Sequence, residues 1–236
     1  MRSFDHGAFE ALTDDDVNFE GVVTNPDNFC FLSANKNAGL MFIRLAPGVY
    51  HVHTYAKETG RGPSVVNLAR ESLVFMFAQT DCLRVISWAW ESNFPAIRLM
   101  EHCGFLPTHD RKGYPGAPAG VTTEFFDLTY ERWVMTEPRL RLAGEDFHFA
   151  LEQRGVHTNH AQDDAHDRWA GATYLGCLHG NVAKAILAYN IWATVTGYVP
   201  ARIASLQPAL VDIGSAVLQF DLGRMDVLKA RDLPPS

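Results

Sequence analysis

The stretch from Lys57 to Phe105 constrains this chain more than any other. It opens on a glycine-bearing turn, Lys57-Glu58-Thr59-Gly60-Arg61-Gly62. Val65, Leu68, Ala69, Leu73, Met76 and Phe77 then recur at three- and four-residue spacing, which predicts a helix from Ser64 to about Thr80. Leu83-Arg84-Val85-Ile86-Ser87-Trp88-Ala89-Trp90 is a short apolar run and predicts a buried strand. A second, shorter helix is expected between Asn93 and Phe105, with Pro95 in its first turn and Gly104 just past its end. A glycine turn directly ahead of a helix is a place for an anion, because free backbone amides and the positive end of the helix dipole converge there.

The order and spacing of these elements resemble the GNAT N-acetyltransferase superfamily. Its acyl-CoA loop has the form Arg/Gln-x-x-Gly-x-Gly/Ala, matched by Lys57-x-x-Gly60-x-Gly62 with lysine in the first place. Its following segment, Asn-x-x-Ala-x-x-Leu-x-x-x-x-Gly-Phe, is matched by Asn93, Ala96, Leu99, Gly104 and Phe105. A glycine pair alone is common in turns, and helix packing accounts for Ala96, Leu99 or Phe105 taken singly. The two motifs separated by one helix and one strand are more specific. The resemblance spans roughly residues 25–134. It implies an α+β fold with a mixed, mostly antiparallel sheet flanked by helices.

The rest of the chain is read around that block. Asn25-Pro26-Asp27-Asn28 is a turn signal, and three strand-like runs follow at Phe29 to Ser33, Gly39 to Leu45 and Tyr50 to Ala56. After Phe105 a strand is expected to about Arg111, then a Gly/Pro-rich loop, then a strand from Thr122 to Tyr130. Asp14-Asp15-Asp16 reads as a helix start or a solvated turn. Glu137-Pro138-Arg139 looks like a boundary, giving a GNAT-like domain over 1–138 and a C-terminal α+β extension over 139–236. Helices are expected from Gly144 to Arg154, Ala161 to Leu178 and Val182 to Thr196. The runs Val199 to Leu206, Ala209 to Leu222 and Met225 to Ala230 are strand-like or mixed. Asp167-Arg168-Trp169-Ala170-Gly171 and Tyr189-Asn190-x-Trp192-Ala193 resemble extensions on GNAT-like proteins encoded among phage structural genes.

Composition excludes some classes. A net charge of −7 over 236 residues argues against a nucleic-acid binder. Cys30, Cys82, Cys103 and Cys177 form no Cys-x-x-Cys pair, and Cys82 and Cys103 fall on core elements, so buried free thiols are expected. The N-terminal residues lack the apolar core of a signal peptide. The most apolar run, Val182 to Val199, is broken by Lys184 and Asn190. A cytoplasmic protein without a membrane span is therefore expected.

Several residues could carry chemistry. Gly60 and Gly62 would let the main chain approach a pyrophosphate, amides from Arg61 to Ser64 would cradle it, and Lys57 and Arg61 would add charge. The resemblance places an acetyl thioester beside Tyr50 to Ala56, with Asn93 as a hydrogen-bonding partner for acetyl-CoA. An amine acceptor then needs a base. His51, His53 and Tyr55 alternate and share one face of their strand. His53 is the first candidate base because histidine titrates near neutral pH, and Glu91 is the second. Packing against the sheet is the competing explanation for the histidines. Many family enzymes carry a tyrosine acid where this chain has Met100. His148, His157, His160 and His166, with Asp163, Asp164 and Asp167, fit no zinc spacing, so no metal is expected.

Two functions follow as expectations. One is transfer of acetyl from acetyl-CoA to an amine. The other is a non-catalytic scaffold in an assembly such as a phage virion, reusing the fold. On the second, aromatic residues of the extension (Trp169, Tyr174, Tyr189, Trp192 and Tyr198) either fill its own core or, where exposed, drive self-association into a homo-oligomer or docking to a larger protein partner.

Overall fold

The computed structural model describes residues 19–115, 117, 119–152 and 164–196. The chain divides into two compact units. One holds the chain up to Phe77 together with Asp81–Arg132; the other holds Ala78–Thr80 with the chain from Trp133 onward.

The first unit is built on six strands. A short helix, α1 (Phe19–Val23), precedes β1 (Phe29–Leu32), β2 (Ala38–Ala46) and β3 (Val49–Ala56). A single 3-10 turn, Glu58–Gly60, leads to α2 (Pro63–Gln79). Then come β4 (Arg84–Trp90), α3 (Phe94–His102), β5 (Leu106–Lys112) and β6 (Thr122–Thr129). The spatial order is β1-β2-β3-β4-β6-β5. All neighbours are antiparallel except β3 and β4. This is the mixed, mostly antiparallel sheet that the sequence resemblance implies.

The pleat gives each strand two faces. Leu40 and Phe42 of β2, Val52 of β3 and Ser87 of β4 share a small interior space with Ala69 and Leu73 of α2 and with Leu99 and Met100 of α3. Phe75 of α2 extends this packing to Phe29 and Phe31, with ring centroids 5.7 and 5.3 Å away. On the opposite face Met41 is buried against Val22 and Val23 of α1 and against Cys30, Leu32 and Tyr55.

One carboxylate fixes where β3 meets β4. Asp81 Oδ1 accepts the Tyr50 hydroxyl at 2.6 Å, and its Oδ2 accepts from Arg44 at 2.7 Å and from the Gly48 amide at 3.2 Å. Burial opposes the charge, but the Tyr50 and Gly48 hydrogen bonds and the Arg44 guanidinium hold the Asp81 carboxyl below the usual range. The amides of Leu83 and Arg84 then donate to the Gly48 carbonyl at 2.7 and 3.0 Å, which starts the parallel pair.

The described part of the second unit is helical. Its main helices are α5 (Pro138–Glu152), α6 (Asp164–Leu178) and α7 (Val182–Thr196). Phe147 stacks on Tyr174 at 5.3 Å, and Trp192 lies edge-on to Tyr189 at 6.1 Å. Asn181 caps α7, its Oδ1 accepting from the Lys184 amide at 3.2 Å. Among the described residues no helix is long and apolar enough to cross a membrane.

Some expectations change. The strand expected to reach Tyr130 ends at Thr129, and Tyr130–Thr136 forms a helix, α4, whose Arg132 amide donates to the Thr129 hydroxyl at 3.2 Å. The helix expected from Gly144 begins at Pro138, where a first-turn proline loses no intrahelical bond. Of the aromatic residues expected either to fill the extension's own core or to drive association, Trp169, Tyr174, Tyr189 and Trp192 are buried. Tyr198, the Asp14–Asp16 run and the strand-like runs of 199–236 lie outside the described residues. Cys82 and Cys103 are buried free thiols, as expected.

The contact of α5 with α6 depends on Gly171, where a Cβ would collide with the Leu140 carbonyl oxygen. Alanine gains about 1 kcal/mol in helix propensity over glycine, whereas forcing atoms into a close-packed interior costs about 1–3 kcal/mol. The Gly171→Ala variant is therefore expected to be less stable despite its better helix former. Urea unfolding of the two proteins measures the sign.

Candidate functional site

The parallel pairing of β3 with β4 is brief. It covers Val49↔Arg84, Tyr50↔Val85 and His51↔Ile86. At the next position the Ser87 hydroxyl donates to the Val52 carbonyl at 3.2 Å. Beyond it the strands separate, and a cavity of about 1000 Å³ occupies the gap, lined from Val52 to Ala56 on one side and from Ser87 to Trp90 on the other.

Strand alternation shows that this cavity reaches both sheet faces. On the helix face it is lined by Val52, Thr54, Ser87 and Ala89, together with the N-terminal turn of α2 and one side of α3. On the opposite face it is lined by His51, His53, Tyr55, Trp88 and Trp90.

The turn before α2 supplies the helix-face floor. Gly62 has φ +84°, in the left-handed region, and its missing Cβ leaves open space. Pro63 follows at the helix start and Arg61 lines the same end. Across the gap, the Asn93 side chain caps α3, accepting from the Ala96 amide at 3.3 Å, and its amide nitrogen remains a donor at the cavity. Arg98 projects from α3 into the lining. Among the described residues the lining holds two guanidinium groups, Arg61 and Arg98, and no carboxylate.

On the other face the two imidazoles lie against each other, with ring centroids 4.2 Å apart. Burial and the neighbouring His53 push the His51 ring down to about 4, and burial also lowers His53. His53 stacks on Tyr55 at 6.4 Å, and His51 lies 6.4 Å from Trp88. Both shifts favour the neutral ring, which offers a lone pair.

The residues singled out in the sequence fall into two groups. His53, Arg61, Gly62 and Asn93 come together on the cavity, and Met100 lines it at the position where many enzymes of the GNAT superfamily carry a tyrosine acid. Lys57, Gly60 and Ser64 flank it without forming the lining. Gly60 has a reason of its own for lacking a side chain, since a Cβ there would meet the Asn37 carbonyl oxygen. Glu91 sits past the end of β4 with Oε1 accepting from the Thr122 amide at 3.2 Å, outside the lining. Trp88 and Arg98 were not anticipated. Trp88 is signalled by the alternation of Ile86, Trp88 and Trp90; Arg98 carries no local signal.

The histidines of the second unit need a separate account. His148, His166 and Asp167 gather with potential ligand atoms within 4.8 Å of one another. Trp192 Nε1 donates to His166 Nδ1 at 3.0 Å. That bond occupies the Nδ1 lone pair and leaves the ring hydrogen on Nε2, so neither nitrogen is ready to ligate. Asp164 instead pairs with Arg168 at 2.5 Å. His157, His160 and Asp163 lie outside the described residues.

No protein-family model and no curated protein matches this sequence. Among solved structures the chain is similar to spermidine/spermine N-acetyltransferase from Vibrio cholerae. That likeness has 12% identity, covers 56% of this chain and 92% of that one, and has a TM-score of 0.48. It is also similar to ribosomal-protein-S5-alanine acetyltransferase from Vibrio fischeri, at 13% identity, 49% and 68% coverage and a TM-score of 0.42.

The buried histidines set a pH dependence of stability. The unfolded His51 side chain takes up a proton near its ordinary value of 6.5, the folded one only near 4. As pH falls through that window the unfolded chain binds more protons, so stability is lost on acidification and is retained above about 6.5. His51→Phe should lose less stability than wild type between pH 7 and pH 5, as read by urea unfolding at both values. Equal losses would show that His51 does not contribute.

Proposed function

We propose that this protein is an N-acetyltransferase of the GNAT type, binding acetyl-CoA in the gap between β3 and β4 and passing the acetyl group to an amine. The single observation that carries this reading is the cavity that runs through the sheet, cationic and amide-rich on the helix face and lined by neutral imidazoles on the other. The sequence motifs fall on its rim at Arg61, Gly62 and Asn93.

The residues present fit the pyrophosphate and pantetheine parts of the substrate. Gly62 lets the backbone approach phosphate oxygens without a Cβ, and the N-terminus of α2 contributes its dipole. Arg61 and Arg98 offer charge-assisted hydrogen bonds. The diverging strands β3 and β4 leave backbone groups along the gap, which suit an amide-containing chain laid between them as a further partner. A β3 amide would polarise the thioester carbonyl, and His53 takes the amine proton.

Met100 cannot donate a proton to the leaving sulfur. It is nearly buried on the cavity wall, 7% exposed. A thiolate leaves without an acid, so the substitution lowers the rate rather than abolishing the reaction. The reading as a virion scaffold rests on Met100 and on the C-terminal unit, and it gains nothing from the comparisons.

Calorimetry with acetyl-CoA tests the binding half. Wild type is expected to bind, and Gly62→Asp to lose binding, because its carboxylate would face the pyrophosphate. Asp is among the residues that tolerate positive φ, so the fold should persist. Wild type that ignores millimolar acetyl-CoA would overturn the proposal. For the chemical half, His53→Ala should lower turnover by about 10²-fold or more and Met100→Tyr should raise it. A His53→Ala enzyme with an unaltered pH–rate profile would remove His53 as the base.

A further inference from the structure

Resting on the acyl-transfer reading, we infer that the acceptor is a neutral arylamine, its ring against Trp88 and its nitrogen at His53, and that polyamines are poor acceptors. The acceptor side of the cavity is the sheet face opposite α2 and α3. It is aromatic along both strands, with His51, His53 and Tyr55 on β3 and Trp88 and Trp90 on β4. The Trp88 ring is backed by further rings. Phe125 is its cross-strand neighbour on β6. Tyr114 touches both, 5.4 Å from Trp88 and 5.2 Å from Phe125. His109 stacks on Phe125 at 4.4 Å. A flat side chain braced in this way presents a fixed surface to an incoming aromatic ring, and offset or edge contacts there add to simple burial.

Charge decides against a polyamine. Among the described residues no aspartate or glutamate lines the cavity, whereas Arg61 and Arg98 do. Arg111, above the ring of Tyr114 at 5.9 Å, adds another cation at the edge of the aromatic patch. An ammonium group entering such a space loses hydration worth several kcal/mol with no carboxylate to replace it. A cation–π contact returns only a part of that loss. A neutral amine avoids the loss altogether.

The proton chemistry agrees. An alkylammonium ion gives up its proton at values close to that of lysine, near 10.4. The imidazole of His51, at about 4, and the lowered imidazole of His53 are weak bases for that task. An arylamine is already neutral at pH 7. Its nitrogen becomes acidic only as its lone pair bonds to the thioester carbonyl carbon, so a weak base suffices. As the C–S bond breaks, its electron pair leaves with sulfur. The N–H proton passes to His53 and from there to the thiolate. The products are an N-aryl acetamide and the free thiol of CoA, with no change in oxidation state.

The test uses the full chain and two probes, 4-methylaniline and spermidine. Equilibrium binding is read by tryptophan fluorescence and turnover by thiol release, with acetyl-CoA affinity measured alongside by calorimetry. We expect 4-methylaniline to bind and be acetylated with a kcat/KM about 10²-fold or more above that of spermidine, a separation matching loss of a few kcal/mol. Trp88→Leu should weaken 4-methylaniline binding about tenfold, a larger loss than it causes in acetyl-CoA affinity. The inference is overturned if wild type acetylates spermidine as well as 4-methylaniline, if neither amine is acetylated while acetyl-CoA binds, or if Trp88→Leu leaves 4-methylaniline binding intact. Failure to bind acetyl-CoA would instead overturn the acyl-transfer reading, and this inference with it.

Discussion

The site depends on a parallel ladder that stops early. Tyr50 and Val85 pair deep in the sheet, His51 and Ile86 pair beside them, and one residue later only the Ser87 hydroxyl bridges the strands. Twisted neighbouring strands part readily when nothing continues the ladder between them. Parallel pairing also needs a crossover, here α2, whose start lies at the open end of the gap. The same connection that makes the strands parallel thus brings a helix N-terminus to the place where they separate. A single carboxylate, Asp81, ties the other end of the pair shut through Tyr50, Gly48 and Arg44. One end is fastened and the other is open, which gives the cavity its direction.

The two faces of that opening have different chemistry because the strands alternate. A residue shift of one in β3 would exchange Val52 and Thr54 for His51 and His53 and turn both imidazoles toward α2. In the register observed, Val52 joins the interior with Leu40 and Phe42 while the histidines face the other way. Their neutrality follows from position as much as from type. Two imidazoles in contact, both largely screened from water, disfavour a proton on either. An imidazole in water takes up its proton near 6.5; these two do so only at lower pH.

Much of this was legible in the sequence. The periodicity of Val65, Leu68, Leu73, Met76 and Phe77 and the motif from Asn93 to Phe105 give α2 and α3 nearly to the residue. The alternation of His51, His53 and Tyr55 gives their shared face. What was hidden falls into two kinds. Tyr130–Thr136 looks like a continuing strand because Tyr130 keeps the alternation of Phe126 and Leu128; the helix start is betrayed only by Thr129 capping the Arg132 amide. Pro138 reads as a break and is a first-turn proline. The second kind is long-range. Gly60 answers to Asn37, Arg98 reaches the cavity from a helix face, and the wall from Trp88 through Phe125 to His109 needs three strands in register. No local pattern encodes those encounters. The burial of Trp169, Tyr174, Tyr189 and Trp192 is likewise a matter of helix packing that composition alone leaves open.

The central claim is that one substrate lies in the gap between β3 and β4 with its phosphates at the start of α2. Backbone amide chemical-shift mapping with acetyl-CoA addresses it directly. The account predicts that the largest changes fall on Gly62 to Asn67, on Thr54 to Ala56 and on Asn93 to Leu99, with α5, α6 and α7 unaffected. Changes centred on the second unit, or none at saturating acetyl-CoA, would contradict it.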